Sequence, residues 1–313
     1  MEKGLSFKSI SIELTKRCNL ECTYCYARSN KSEEKSELKT SDLKRFLKVF
    51  KENGGNRVLF TGGEALLRED FQELVSFARE IGLVVDLFTN GLLIDEKNAK
   101  YISENINLVN MSLDGPKEHH DKVRQRKGSF DRSVQGLQFL NYYHAHYAIQ
   151  SMITNTNYGE YNWLIELVKE FNPVMVKLGH VSKMGRGINC TNLWLEKEKI
   201  LYLKKMASKI SEVTHFHTRV ITNVITKDEF EKFYPSLDAV SNPWLLPDGR
   251  IISCYVNKGI NNWVISDVWK YPVYDENTFK RTSKLMTEVY REALSKEYID
   301  MLELTSQVAE RYI

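Results

Sequence analysis

The sequence predicts an α/β protein: a partial, TIM-like (β/α)6 barrel followed by a smaller C-terminal α+β domain. Three observations predict it. Short β-branched runs alternate with amphipathic stretches six times over about 212 residues, the pattern of a parallel sheet built from βα units. Each repeat takes roughly 35 residues, as a βαβ unit does. The chain has 313 residues, about two domains at roughly 150 residues each, and its last third loses the alternation. Six units are too few for a complete eight-fold barrel. The expected boundaries are residues 1–225 for the barrel and 226–313 for the C-terminal domain.

The elements follow in order. The first strand is expected over residues 9–14, where Ile10, Ile12 and Leu14 alternate. The next helix carries Leu43, Phe46, Leu47 and Phe50 at i, i+3, i+4 and i+7, with Thr40 and Ser41 as candidate caps. Strand two spans 57–60, and its helix repeats the stripe with Phe71, Leu74, Val75 and Ala78. Strand three, 84–88, ends at Asn90-Gly91, and a helix over 95–104 follows. Strand four, 108–113, stops at Asp114-Gly115-Pro116, because Gly and Pro break both strand and helix. A helix over 131–143 leads to strand five at 147–153 and a helix with Tyr161, Leu164, Ile165 and Val168 on one face. Strand six covers 174–178, and a long helix over 196–212 follows a glycine-rich loop. Beyond it, His215 and His217 alternate along an expected strand, and residues 245–252 read as a hairpin around Pro247-Asp248-Gly249. Residues 28–39 read as a polar, mobile linker.

Composition narrows the function classes. Hydrophobic residues at 42% supply a large core, and 27% charged residues is ordinary. The 44 Lys+Arg against 41 Asp+Glu leave +3, which offers no basic stripe for nucleic acid and no membrane-attracting face. No apolar run reaches the roughly 18 residues of a membrane span. The start, Met1-Glu2-Lys3-Gly4-Leu5, has no signal-peptide core. A cytoplasmic protein is expected, with neither nucleic acid nor membrane as partner.

Three of the five cysteines fall within eight residues, Cys18-Asn19-Leu20-Glu21-Cys22-Thr23-Tyr24-Cys25. With five cysteines in 313 residues, accident produces this spacing about one time in a thousand. A secreted disulfide framework would spread its cysteines in pairs. Three thiolates on a short loop after a strand converge instead on one inorganic centre, zinc or an iron–sulfur cluster. Structural zinc wants four closed ligands, and the next cysteine is Cys190. Three ligands leave one iron of a cubane open to bind something else. Lys16, Arg17 and Glu21 beside the cysteines argue against thiols that merely pack.

With an aromatic, Tyr24, just before the last cysteine, this C-x3-C-x2-C segment resembles the signature of the radical S-adenosylmethionine (SAM) superfamily. The resemblance covers residues 8–190 and extends more loosely to about 256. It implies a [4Fe–4S] cluster on Cys18, Cys22 and Cys25, whose fourth iron chelates SAM. Reductive cleavage of SAM then yields a 5′-deoxyadenosyl radical that abstracts a substrate hydrogen. It also implies an electron donor, flavodoxin- or ferredoxin-like. Thr61-Gly62-Gly63-Glu64 at the end of strand two matches the family motif for the SAM amino group. Paired glycines permit close backbone approach, and a carboxylate accepts from an ammonium.

Ser112-Leu113-Asp114-Gly115-Pro116, with His120, Asp121 and Arg124, looks like the peptide-modifying branch with SPASM-type C-terminal domains. The likeness implies that Ser112 and Arg124 contact the SAM carboxylate or ribose, and that Asp114 shapes the strand end. Asn90 and Thr154-Asn155 end strands three and five on the same face, the face where α/β barrels place their sites. Gly179-His180 and Met184-Gly185-Arg186-Gly187 match a further loop, expected to close over adenosine and shield a radical.

One departure matters. The segment from Pro247 to Cys254 resembles the start of a SPASM cluster site, yet no cysteine follows Cys254. Cys190 and Cys254 alone cannot furnish the usual ligands of an auxiliary cluster, so a single cluster is expected. Cys254 is left as a candidate hydrogen-atom donor, as in radical SAM epimerases, with Cys190 a weaker candidate. The expected substrate is a ribosomally made peptide, epimerised or cross-linked. The alternatives are a sugar- or aminoglycoside-type small molecule, and a non-catalytic iron–sulfur scaffold. The chain begins directly at strand one, without the leader-binding domain of many peptide-modifying members, which weakens the peptide reading.

Overall fold

Ile10 and Ile12 are buried in β1 (Ser9–Glu13), and so are the polar residues between and after them, Ser11 and Glu13. A strand buried on both faces is the signature of a parallel sheet covered by helices. The structure, a computed structural model, describes residues 8–32, 37–196, 199, 201–215, 217–222, 224–226, 243–252, 264–267, 288, 292 and 298–300. Two compact units emerge: one from residues 1–17, 32–85 and 225–313, the other from 18–31 and 86–224.

In the first unit, β1 pairs in parallel with β2 (Arg57–Thr61), from Ser9↔Arg57 to Glu13↔Thr61. The crossover helix α1 (Thr40–Glu52) buries Leu43, Phe46, Leu47 and Phe50, the four residues of the expected stripe. Phe46 and Phe50 stack at 6.1 Å. Helix α2 (Phe71–Glu80) likewise buries Phe71, Leu74, Val75 and Ala78. On the other side of β1, β9 (Trp244–Leu245) pairs in parallel and turns through Asp248 and Gly249 into β10 (Arg250–Ile252), the expected hairpin. β11 (Val264–Asp267) continues antiparallel with a register shift between Ile251 and Ile252. β8 (Val224–Thr226) and β12 (Tyr298–Asp300) form a separate two-stranded sheet.

The second unit takes the last four residues of β3 (Val84–Thr89) and adds β4 (Leu108–Ser112), β5 (Tyr147–Ile153), β6 (Met175–His180) and β7 (Arg219–Thr222). All are parallel, in the order β3-β4-β5-β6-β7. The connecting helices are α3 (Glu96–Asn105), α4 (Lys117–Arg124), α5 (Ser129–Tyr142), α6 (Asn162–Phe171) and α7 (Tyr202–Val213). Asp95 and Asn98 form a reciprocal capping box that starts α3.

Two expectations need correction. α4 is not among the expected elements, because its inward face is His120, Val123 and Arg124 and hydrophobic periodicity is blind to a helix that buries polar groups. His215 and His217 share no strand: His215 has a positive φ of 49° in the turn that closes α7, and β7 starts only at Arg219. At the ends of the expected linker Ser29 and Leu38 are buried, and the Leu38 N–H donates to the Pro247 carbonyl; residues 33–36 lie outside the described residues. Among the described residues, no helix is long and apolar enough to cross a membrane.

Candidate functional site

The cysteine loop belongs to the second unit. Cys18 and Cys22 are buried and Cys25 is half-buried, and the three pack with Leu20 and Leu92. None of Cys18, Cys22, Cys25 or Cys190 is in a disulfide. Among the described residues no three His, Cys, Asp or Glu side chains are gathered on a single ion. A multi-iron cluster makes no such demand, since each thiolate takes its own iron. Three thiol sulfurs on one loop are the donor set such a cluster uses, so these residues fit it.

Side chains at the strand ends reach the sulfurs. Asn90, just after β3, donates from Nδ2 to Cys18 Sγ at 3.9 Å and to Asn19 Oδ1 at 2.7 Å. The Leu20 N–H also donates to Cys18 Sγ, at 3.4 Å. Arg124, on the buried face of α4, donates from Nη1 to Cys22 Sγ at 3.7 Å. Its Nε and Nη2 both lie 2.5 Å from Asp114 Oδ2.

Asp114, just after β4, is fully buried and held from several sides. The Tyr24 hydroxyl donates to Oδ2, and the Met152 N–H donates to Oδ1 at 3.0 Å. Asn157 Nδ2 donates to the Asp114 carbonyl at 2.8 Å. Burial pushes the Asp114 pKa up, but the Arg124 guanidinium, His120 and the hydrogen bonds from Tyr24 and Met152 together hold the carboxyl below the usual range. Burial pushes the Cys22 thiol up, against the pull of Arg124. Burial also pushes the Tyr24 hydroxyl well up, leaving it a proton donor. Ser112, the last residue of β4, is half-buried and pairs across to Gln150 of β5.

His120 closes this network from behind. Its Nδ1 accepts the Asp114 N–H at 3.1 Å, so the proton sits on Nε2, and the ring meets Phe130 edge to face at 5.7 Å. Burial, with the Arg124 charge second, drives its pKa down to about 4. The unfolded imidazole titrates near ~6.5. The folded chain therefore binds fewer protons between those values, so stability is intact above pH 6.5 and falls as pH drops toward 4. His120→Asn, whose side-chain oxygen can replace Nδ1 as acceptor, is expected to flatten this dependence by about 2 kcal/mol between pH 7 and 5. Denaturant unfolding of both proteins at the two pH values measures it; parallel profiles would contradict the assignment.

The glycine-rich loop after β6 packs against the cysteine loop. Gly185 has φ +54°, and a Cβ there would lie 2.2 Å from the Tyr26 carbonyl and 2.5 Å from that of Cys25. Arg186 donates its N–H to the Cys25 carbonyl at 2.9 Å, Nε to the Cys22 carbonyl at 2.8 Å and Nη1 to the Ser29 carbonyl at 2.9 Å. The sequence motif includes this arginine but gives a role only to its glycines; in the fold Arg186 ties down the backbone of two candidate ligands. Cys190 Sγ donates to the Thr23 carbonyl at 3.2 Å and packs near Tyr24. His180 is buried at the end of β6. Cys254 lies outside the described residues.

Gly62-Gly63-Glu64 belongs to the first unit. Here the glycines meet backbone: the Gly63 N–H donates to the Thr15 carbonyl at 2.7 Å and the Glu64 N–H to that of Arg17 at 2.9 Å. Glu64 is buried and its side chain accepts the Leu66 N–H at 3.2 Å, capping a short 3-10 turn over Ala65–Leu67. Arg68, missed from sequence, is 8% exposed and donates to the carbonyls of Leu14 and Leu38 while pairing with Asp70 at 2.6 Å.

Residues 12–154 match the Radical SAM superfamily. Over those residues the chain is similar to a radical SAM domain. It is 34% identical over 187 residues to Fe-coproporphyrin III synthase of Methanosarcina barkeri, covering 59% of this chain and 47% of the relative. It is 30% identical over 179 residues to the sporulation killing factor maturation protein SkfB of Bacillus subtilis, covering 57% and 43%. The chain thus spans about half the length of the curated relatives it matches. Among solved structures, Streptococcus suis SuiB bound to S-adenosylmethionine superposes with a TM-score of 0.73 at 17% identity, covering 90% of this chain and 69% of SuiB. SuiB has also been solved with its precursor peptide SuiA. At that identity the likeness speaks for the fold alone, the partial α/β barrel expected from the sequence.

Proposed function

We propose that this chain is a radical SAM enzyme that abstracts a hydrogen from a ribosomally made peptide, by way of one [4Fe–4S] cluster on Cys18, Cys22 and Cys25. The observation that carries the reading is the thiol loop itself: three sulfurs within eight residues, two of them receiving N–H donors from Asn90 and Arg124. When bound, the reduced cluster supplies the electron that cleaves SAM to methionine and a 5′-deoxyadenosyl radical. Glu64, presented by Gly62 and Gly63, takes the SAM amino group, and Ser112 its carboxylate or ribose. Asn90, Tyr24, Asp114 and Arg124 hold the thiol loop in shape; Arg124, expected from sequence to share the SAM carboxylate or ribose with Ser112, is instead committed to Asp114 and Cys22. A flavodoxin- or ferredoxin-like protein supplies the electron.

The peptide substrate is favoured by the names of SkfB and of the SuiB complex with SuiA. A small-molecule substrate is the second reading, favoured by the 34% identity to Fe-coproporphyrin III synthase. Anaerobic reconstitution with iron, sulfide, SAM and dithionite tests the common part. About four irons per chain and release of 5′-deoxyadenosine are expected; a loaded protein that releases none would overturn it. With a peptide substrate in D2O, epimerisation adds one mass unit, with Cys254 the candidate hydrogen donor. Cross-linking removes two hydrogens.

A further inference from the structure

Every nitrogen of the Arg124 guanidinium has an acceptor. Nε and Nη2 are fixed on Asp114 Oδ2, and this two-point grip aims Nη1 at Cys22 Sγ, 3.7 Å away. The plane also lies over the Tyr24 ring at 5.9 Å. Asp114 cannot swing aside, because Tyr24, Met152 and the paired Arg124 share its carboxylate, and Asn157 and His120 hold its backbone. Arg124 is 9% exposed, so its charge is poorly screened by water.

We propose that Arg124 is a positioning residue that sets the reduction potential of the cluster through the Cys22 sulfur, with Asp114 opposing its charge. The proposal rests on reading Cys18, Cys22 and Cys25 as a cluster site. Reduction adds one negative charge to the cluster and its thiolates. A cationic N–H donor on one sulfur stabilises that added charge and raises the potential. A buried carboxylate beside the donor lowers it. The pair therefore acts on the same quantity with opposite signs, whereas general loosening of the loop would not separate them.

The test is an anaerobic dithionite titration of the reconstituted protein without SAM, followed by electron paramagnetic resonance, for wild type, Arg124→Gln, Arg124→Lys and Asp114→Asn. At the poise that half-reduces wild type, Arg124→Gln is expected to lower the reduced-to-oxidised ratio about tenfold, equivalent to ~59 mV for a one-electron couple. Arg124→Lys keeps the charge without the fork and falls between. Asp114→Asn shifts the ratio the other way. Arg124→Gln within about twofold of wild type would overturn the proposal. So would Arg124→Gln and Asp114→Asn shifting in the same direction, or weakened SAM binding at an unchanged potential. Where Arg124→Gln loads no cluster, Arg124→Lys against Asp114→Asn decides the same question. Wild type that assembles no cluster defeats the reading of the site itself, a result distinct from a loaded cluster whose potential ignores Arg124.

Discussion

Cys22→Ala abolishes cluster assembly and with it the release of 5′-deoxyadenosine, a loss beyond the ~100-fold that removing a supporting group would cause. Two thiols would remain on the loop, and two are too few to hold a cubane against loss of iron. Cys22 is the sharpest choice of the three because its surroundings are already committed. The Arg124 Nη1 donates to its sulfur and Arg186 to its carbonyl, and it packs with Cys18 and Leu20. Cys190→Ser is the matched control. Among the described residues that thiol donates to the carbonyls of Thr23 and Arg186, and serine can donate to the same oxygens. Iron per chain and product release, measured on both variants after identical reconstitution, separate them. A Cys22→Ala protein that retained about four irons would remove the thiol loop from the site.

The parts of this molecule legible in sequence are those where apolar residues carry the pattern. The stripes of α1 and α2 and the strands from β1 to β6 declare themselves because Leu, Ile, Val and Phe supply their buried faces. The thiol loop is legible because cysteine is rare and its spacing chemically specific. What stays hidden is held by polar groups acting over long sequence separations. α4 presents His120 and Arg124 inward, so its periodicity is written in residues a hydrophobic pattern scores as surface. Arg186 reaches Cys22 across 164 positions, and Arg68 reaches Leu14 across 54. Arg186 lies in a motif read only for its glycines and no local signal marks Arg68, because a buried arginine is stabilised by carbonyls that only the folded chain brings near. The strand-end role of Asp114 can be expected from its motif, but its ion pair with Arg124 cannot, since the motif does not say which of its residues face each other.

The paired glycines show the same division between what a motif announces and why it is needed, and Gly62→Ala carries the second large expected effect, a loss of about 4 kcal/mol in stability. A Cβ at Gly62 would sit 2.4 Å from the Thr15 carbonyl oxygen, at a φ of +149° that alanine avoids. At Gly63 it would lie 2.3 Å from the Arg17 carbonyl and 2.6 Å from that of Lys16. These neighbours are backbone and cannot rotate away. They are also pinned: Gly63 and Glu64 donate to the Thr15 and Arg17 carbonyls, and Arg68 holds that of Leu14 at 3.0 Å. The substitution must therefore break hydrogen bonds or push residues 15–17, which run straight into Cys18. Gly159→Ala is the reference, since nothing lies within 4 Å of its Cβ position, and its effect should stay within ~0.5 kcal/mol. Denaturant midpoints and iron content after reconstitution are read on both variants. Loss of stability with loss of iron places the glycines in service of the cysteine loop, and loss of stability with full iron confines them to packing at the end of β2. Equal stability of Gly62→Ala and Gly159→Ala would mean that the close backbone approach at residues 62–64 does not hold this turn at all.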